Sequence, residues 1–272
     1  MNKKKLLIIG GGNMGFAIAC GISEKKIYKK DSVVFIEKNK ERIAFLTKKG
    51  FKTFDKLDKV KKEANSFNAI ILAVKPFDIS EVLKGLKTRL KHNTPLISIA
   101  AGIKIKTLVA GTNANQPVAR IMPNTPCLIG HGMSAISYNN NFSKKERLIT
   151  NKIFSSIGKT LELDEKYLDL VTAISGSGPA YFCYLTESLI KSAAKLGLKE
   201  KYARELVTQT ALGTSVLLSK GNLTAEQLRK MVTSPKGTTE AAMKILLENN
   251  FYNVVFNAVK SATNRASQLS RG

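Results

Sequence analysis

Cysteine, histidine and tryptophan are scarce in this 272-residue chain, which has three cysteines, two histidines and no tryptophan. Cys20, Cys127 and Cys183 are odd in number, far apart and without a C-x-x-C pair. That excludes a disulfide scaffold and a cysteine-based zinc site, and it fits a reducing cytoplasm. His92 and His131 leave few candidates for a metal centre or a Ser-His-Asp arrangement, so no metal is expected. Nor does any apolar run approach the length needed to cross a bilayer, and a membrane is not an expected partner. The basic start at Met1–Lys5, followed by apolar residues and Cys20, imitates a lipoprotein leader. Gly10, Gly11, Gly12 and Asn13 interrupt that stretch with polar, turn-forming backbone, which suits membrane insertion badly.

Acidic residues are also few: 44 basic against 20 acidic groups give a net charge of +24. Residues 1–164 carry +18 of this and residues 165–272 the remaining +6. Only 8 of the basic residues are arginine. The lysines are scattered in pairs and triples, and no helix-turn-helix, RNP or zinc-finger pattern accompanies them. The charge therefore reads as decoration of solvent-facing helices, not as a specific nucleic-acid site. A positive field would still attract an anionic cofactor or substrate.

What is present is an alternation of short apolar runs and helical patterns. Strands are expected at Lys5–Ile9, Ser32–Glu37, Asn68–Val74, Pro95–Ala101, Val118–Met122, Met133–Ser137 and Lys159–Leu163. Helices are expected at Asn13–Lys26, Lys40–Lys49 and Asp78–Leu90, which implies an α/β parallel sheet with right-handed crossovers. The pattern changes near Asp164. Beyond it come helices at Pro179–Leu196, Glu200–Ser219, Thr224–Val232, Thr238–Asn249 and Tyr252–Ser270. Apolar and small residues cover much of the first of these, so it should be buried in a bundle or against another subunit.

Gly10-Gly11-Gly12-Asn13-Met14-Gly15 is a G-x-G-x-x-G turn placed between the first strand and the first helix. Gly10 allows a tight turn, Gly12 lets backbone approach a pyrophosphate, and Gly15 lets helix and strand pack closely. The helix N-terminus adds N–H groups and partial positive charge for phosphates. Glu37 ends the second strand, where an acidic side chain would hold the ribose hydroxyls of NAD. Lys38, Asn39, Lys40 and Arg42 follow it, and they suit the 2′-phosphate of NADP. The sequence points both ways.

Three further groups of motifs are more specific. They are Ala73-Val74-Lys75-Pro76; Ile99-Ala100-Ala101-Gly102 with Arg120–Pro126; and Ser175-Gly-Ser-Gly-Pro-Ala180 with Thr233-Ser-Pro-Lys-Gly-Thr-Thr-Glu240. In this order and spacing the chain closely resembles the pyrroline-5-carboxylate reductases over nearly its whole length. The resemblance implies NAD(P)H-dependent reduction of the cyclic imine L-1-pyrroline-5-carboxylate to L-proline, with NADPH as cofactor and NADH as the alternative. It implies an α/β Rossmann-like dinucleotide-binding domain over residues 1–164, then an all-helical dimerisation and substrate-binding domain over 165–272. Gly10, Gly11, Gly12, Asn13, Met14 and Gly15 would bind pyrophosphate, with Glu37, Lys38 and Asn39 at the ribose. Ala73, Val74, Lys75, Pro76, Ala100 and Ala101 would border the nicotinamide half. Ser234, Gly237, Thr238 and Thr239 would hold the substrate carboxylate and ring. Association as a homodimer or higher oligomer is implied too. One departure stands out: Lys236 occupies the place of the family's first glycine in this segment. A positive φ there would make lysine costly, although its ammonium would suit a carboxylate.

The scarcity of histidine agrees with this chemistry. Alcohol oxidation usually needs a positioned general base, whereas a protonated imine needs a hydride aimed at its carbon with charge and position control. Thr239 is the expected catalytic residue, its hydroxyl orienting the ring nitrogen; the competing reading is that Thr238 and Thr239 merely cap a helix. Ser177 lacks the G-x-S-x-G spacing of a nucleophile elbow. His131, between two glycines, reads as a loop residue. The Gly and Ser of Ser175–Gly178 read as allowing close helix packing. Two alternatives remain: a β-hydroxyacid dehydrogenase-like oxidoreductase and a non-catalytic nicotinamide-sensing regulator.

Overall fold

The computed structural model describes residues 5–87 and 94–269. Leu90, His92 and Ser270, which entered the readings above, lie outside the described residues. The described chain divides into two compact units, one formed by residues 1–177 with 262–272 and the other by residues 178–261. The first unit therefore extends beyond position 164 and recovers the end of the last helix.

The first unit is built on a sheet of β1 (Lys5–Ile9), β2 (Val33–Ile36), β3 (Lys52–Phe54), β4 (Phe67–Leu72), β5 (Leu96–Ser98), β6 (Val118–Met122), β7 (Gly132–Tyr138) and β8 (Gly158–Glu162). Their spatial order is β3-β2-β1-β4-β5-β6-β7-β8. Its helices are α1 (Asn13–Glu24), α2 (Lys40–Lys48), α3 (Ile79–Lys87), α4 (Ile105–Ala110), α5 (Lys144–Ser155) and the short α6 (Leu168–Val171). The central strands are predominantly apolar because both faces of the sheet are covered, and β2 (Val33–Ile36) is apolar throughout. Successive side chains alternate between faces. Leu6, Ile8, Val33 and Phe35 join one core with Ile18 and Ile22 of α1 and Phe154 of α5. Leu7, Ile9, Val34 and Ile36 join the other with Val82, Leu83 and Leu86 of α3 and Leu108 of α4.

The sheet is not wholly parallel, as had been expected. β7 pairs antiparallel with β6, and β8 runs parallel to β7. The reason is the connection. The chain turns back through a 3-10 segment at Thr125–Ile129 and a left-handed Gly130 (φ 75°), with no crossover helix to restore direction. β3, α4 and α5 were also absent from the sequence reading. α5 nevertheless opens on a complete capping box, with Ser143 accepting from the Glu146 N–H and Glu146 from the Ser143 N–H.

Arg120, buried on β6, ties the sheet to three other segments. Its guanidinium lies 2.7 Å from Asp169 Oδ1 of α6 and 3.4 Å from Glu165 Oε1. Glu165 Oε1 accepts the Ile105 N–H at the start of α4, and Asp169 Oδ2 accepts the Ser267 hydroxyl. Close packing continues beyond α6, where a π-helical turn spans Thr172–Gly176. Asn124 Nδ2 donates to Ser175 Oγ, and a Cβ on Gly176 would run into the Met122 methyl. At Gly178, by contrast, an added Cβ would meet nothing within 4 Å, so close packing accounts for only part of this small-residue run.

The second unit holds α7 (Gly178–Lys195), α8 (Glu200–Ser219), α9 (Ala225–Met231), α10 (Thr238–Glu248) and the first part of α11 (Phe251–Leu269). α7 ends in a Schellman turn. Leu198 N–H reaches the Ala193 carbonyl, Gly197 N–H reaches Ala194, and Gly197 has φ 97°. α7 then packs on α8. Few side chains of this unit are buried: only Gly178 in α7 and none in α10. Phe182 and Tyr184 are 71% and 72% exposed. Burial of α7 within its own chain is thus not what this structure has. Of the described residues, no helix is long and apolar enough to cross a membrane.

Removing Arg120 would take away the guanidinium that Asp169 and Glu165 share. Arg120→Ala should lower the unfolding free energy by about 3–5 kcal/mol. A denaturant titration showing a loss well under 1 kcal/mol would contradict this account of the network.

Candidate active site

The C-terminal edges of the parallel strands open onto a cleft in the first unit, where an open α/β sheet presents its loops. Its volume is about 1080 Å³, and its walls come from the loops that follow β1, β2, β3, β4, β5 and β6. The glycine turn forms one side. Gly10 has φ 100°, and a Cβ there would collide with the Ala73 carbonyl. On Gly15 it would collide with the Gly10 carbonyl oxygen, while on Gly12 it would meet nothing within 4 Å. These are the conditions for a tight turn, a close helix–strand contact and an open backbone approach. Gly12 is the N-cap of α1 and contributes no side-chain cap. The first-turn N–H groups of α1 are thus left for an outside acceptor, and an anion suits them. The cradle fits a dinucleotide pyrophosphate.

Glu37 sits at the end of β2, where its carboxylate is held by two backbone donors. Gly11 N–H reaches Oε2 at 2.7 Å and Asn39 N–H reaches Oε1 at 2.9 Å. Asn39 also caps α2, accepting the Arg42 N–H. Arg42 itself donates from Nε to the Gly11 carbonyl and stacks on Phe45, with 4.5 Å from its guanidinium carbon to the ring centroid. Lys38 ion-pairs with Glu81 at 3.0 Å, and that hydrogen bond raises its already high pKa further.

Most of the expected cofactor residues line this one cleft: Gly10, Gly12, Asn13, Met14, Glu37, Lys38, Asn39, Ala73–Pro76, Ala100 and Ala101. Gly11 and Gly15 do not; they lie behind the wall, the first holding Glu37 and the second packed on Gly10. The sequence reading missed Asp55–Asp58 after β3, Asp78 and Glu81 around the start of α3, and Met122, Pro123, Thr125 and Leu128 after β6. The rule that ligands bind at the carboxyl ends of strands would have found the last group, since Met122 and Pro123 follow directly on a recognised strand.

Ser234, Gly237, Thr238 and Thr239 lie in the second unit, in the turn that leads into α10. Gly237 N–H bonds to the Ser234 carbonyl at 3.1 Å, which closes a β-turn with Pro235 and Lys236 at its centre. Lys236 has φ 57°. Proline followed by a residue of positive φ is the pattern of a type II turn, whose third position favours glycine. At Gly237 a Cβ would press on the Ser234 hydroxyl and lie 3.0 Å from the Ser234 carbonyl oxygen, so the turn is close-packed there. The turn is secured from the helix side by Glu240 Oε2, which accepts the Lys236 N–H at 2.8 Å. Gly237 is the N-cap and provides no side-chain cap, which makes Thr238 and Thr239 the first helical residues. Neither threonine occupies the capping position, and the first-turn N–H groups of α10 share the anion-seeking character of those of α1.

His131 is an exposed loop residue, as read from its flanking glycines. All three cysteines are free thiols, and burial pushes up the pKa of Cys20 and Cys127. Among the described residues no group of His, Cys, Asp and Glu is placed to hold a metal. The left-handed Lys236 yields a direct expectation: Lys236→Gly should stabilise the protein by about 1 kcal/mol, because a side chain in this conformation costs that order of energy. A thermal melt in which the glycine variant is no more stable would contradict it.

Comparison with known proteins covers both units. A family profile described as pyrroline-5-carboxylate reductase dimerisation matches residues 165–269, and one described as NADP oxidoreductase, coenzyme F420-dependent, matches residues 5–102. The chain is 32% identical to the pyrroline-5-carboxylate reductase of Staphylococcus haemolyticus, over 98% of each. Among solved structures, the pyrroline-5-carboxylate reductase of Coxiella burnetii superposes with a TM-score of 0.91 at 30% identity, over 99% of both chains. The Plasmodium falciparum pyrroline carboxylate reductase with NADP bound does so with a TM-score of 0.87 at 32% identity, again over 99% of both. Likeness of this extent, in sequence and in fold, places the chain in the pyrroline-5-carboxylate reductase family.

Proposed function

We propose that the protein reduces L-1-pyrroline-5-carboxylate to L-proline with NAD(P)H. The observation that carries this reading is the glycine turn with its open Gly12 approach, set in a chain that matches pyrroline-5-carboxylate reductases from end to end. Residues 1–164 bind the cofactor and residues 165–272 provide substrate binding and self-association. Gly10–Gly15 hold the pyrophosphate, Glu37–Asn39 the adenosine ribose, and Ala73–Pro76 with Ala100 and Ala101 the nicotinamide half. The bound cofactor supplies a hydride.

The chain's own part is positioning and charge control. The first N–H groups of α10, with Ser234, Gly237 and Thr238, hold the substrate carboxylate. Thr239 Oγ accepts a hydrogen bond from the N–H of the protonated ring nitrogen and so orients the imine carbon. Hydride addition at that carbon returns the C=N π pair to nitrogen, which already carries its proton. No general base is required, in keeping with a chain that has two histidines.

Self-association follows from the physical state of the second unit. Phe182 and Tyr184, with the apolar residues of α8, α10 and α11, are too exposed for a lone chain, and a dimerisation profile matches this region. We assign a homodimer or a higher oligomer, with no specific nucleic-acid or membrane partner. The free thiols suit a reducing cytoplasm.

The test is loss of reduced-nicotinamide absorbance on adding L-1-pyrroline-5-carboxylate to purified protein. Substrate-dependent turnover is expected; its absence, with turnover of short hydroxyacids instead, would overturn the assignment. Thr239→Ala should lower kcat/KM by about tenfold or more, the worth of one hydrogen bond to a charged group. A variant with unchanged kcat and KM would remove Thr239 from the mechanism.

A further inference from the structure

The geometry points to a preference of this enzyme for NADH over NADPH, with Glu37 as the discriminating residue; the inference rests on the dinucleotide reading of the cleft. In a chain of net charge +24, the cleft wall runs the other way. Five carboxylates line it against three lysines. The corner after β2 and β3 presents Glu37, Asp55 and Asp58, together with Lys38 and Lys56.

Glu37 is fixed at this corner. Its two oxygens each accept one backbone N–H, from Gly11 at 2.7 Å and from Asn39 at 2.9 Å. Each oxygen keeps acceptor capacity for a further donor. A ribose with free 2′- and 3′-hydroxyls offers such donors. A 2′-phosphate offers none and brings nearly two negative charges. Glu37 cannot turn aside from it without giving up both backbone bonds, and like charges brought together repel.

The basic residues that follow Glu37 do not form a phosphate pocket. Lys40 and Arg42 are not part of the cleft wall. Arg42 is directed instead to the Gly11 carbonyl and the Phe16 and Phe45 rings. Lys38 does line the cleft, but it faces Glu81 at 3.0 Å and Asp78 at 4.0 Å. Lys56 stands between Asp55 and Asp58 in the chain, both of which line the same corner.

The decisive experiment measures binding and turnover separately on the whole protein. Kd values for NADH and NADPH, from nucleotide fluorescence without substrate, should differ at least tenfold in favour of NADH. ADP should likewise compete better than 2′,5′-ADP by a similar factor. Glu37→Ser should narrow or reverse both ratios by tightening the phosphorylated ligands. The ADP pair on the unaltered protein keeps the question open to refutation should that variant fail to fold. Equal or tighter binding of NADPH and 2′,5′-ADP by the unaltered protein would overturn the inference, as would unchanged ratios in a folded Glu37→Ser. Binding that favours NADH, in a protein that fails to reduce the imine, would sustain this inference while refuting the proposed reaction.

Discussion

Backbone against backbone at the end of β1 is the contact on which the first unit depends. Gly10 turns with the Ala73 carbonyl where its side chain would be, and Gly15 rests on the Gly10 carbonyl. The parallel ladder continues into this turn, since Gly10 N–H reaches the Ile36 carbonyl and Ala73 N–H the Ile9 carbonyl. Three strand ends are thereby brought within a few ångströms of one helix N-terminus. A side chain at Gly10 or Gly15 would collide with backbone, so the turn itself would have to shift. The same absence of bulk that makes the turn possible makes the first-turn amides available to a phosphate.

Electrostatics acts on two scales in this protein. The long-range field of a strongly basic chain favours the arrival of an anionic dinucleotide. At the cleft, burial and fixed hydrogen bonds decide instead, and there carboxylates outnumber lysines. Glu37 is immobilised: a carboxylate that has two backbone amides to satisfy is a fixed feature of the wall. The exposed lysines that dominate the net charge are not held in this way. Net charge and site charge are therefore separate properties, and only the second selects a ligand.

The second unit shows what a single chain leaves unfinished. Its helices are well formed, with a Schellman turn after α7 and a capping box before α9. Yet α10 buries no residue, and much of the apolar surface of α7 and α8 remains exposed. Helix formation here is local, driven by caps and periodicity, whereas burial requires a second chain. The Ser234–Gly237 turn shows the same division. Its hydrogen bond and the Glu240 brace hold Lys236 in a conformation that a lysine would not choose alone.

The sequence by itself determined the repeating strand and helix plan, the glycine turn and the helix that follows Gly237, because each is written in short-range chemistry. Uniformly apolar runs mark strands covered on both faces, and glycine spacing marks backbone that must approach something closely. The Ser143–Glu146 capping box was equally legible and announces α5, though the reading passed over it. β3 was not legible, being a three-residue edge strand of half-exposed residues. The reversal of β7 was not legible either, since nothing in its own pattern distinguishes a strand that returns from one that crosses over. Tertiary structure alone decided that Arg120 meets Asp169 and Glu165, and that Glu37 rather than Arg42 faces the cleft. Those outcomes depend on which long-range neighbours arrive at a side chain, and spacing along the chain does not encode the direction in which a side chain finally points.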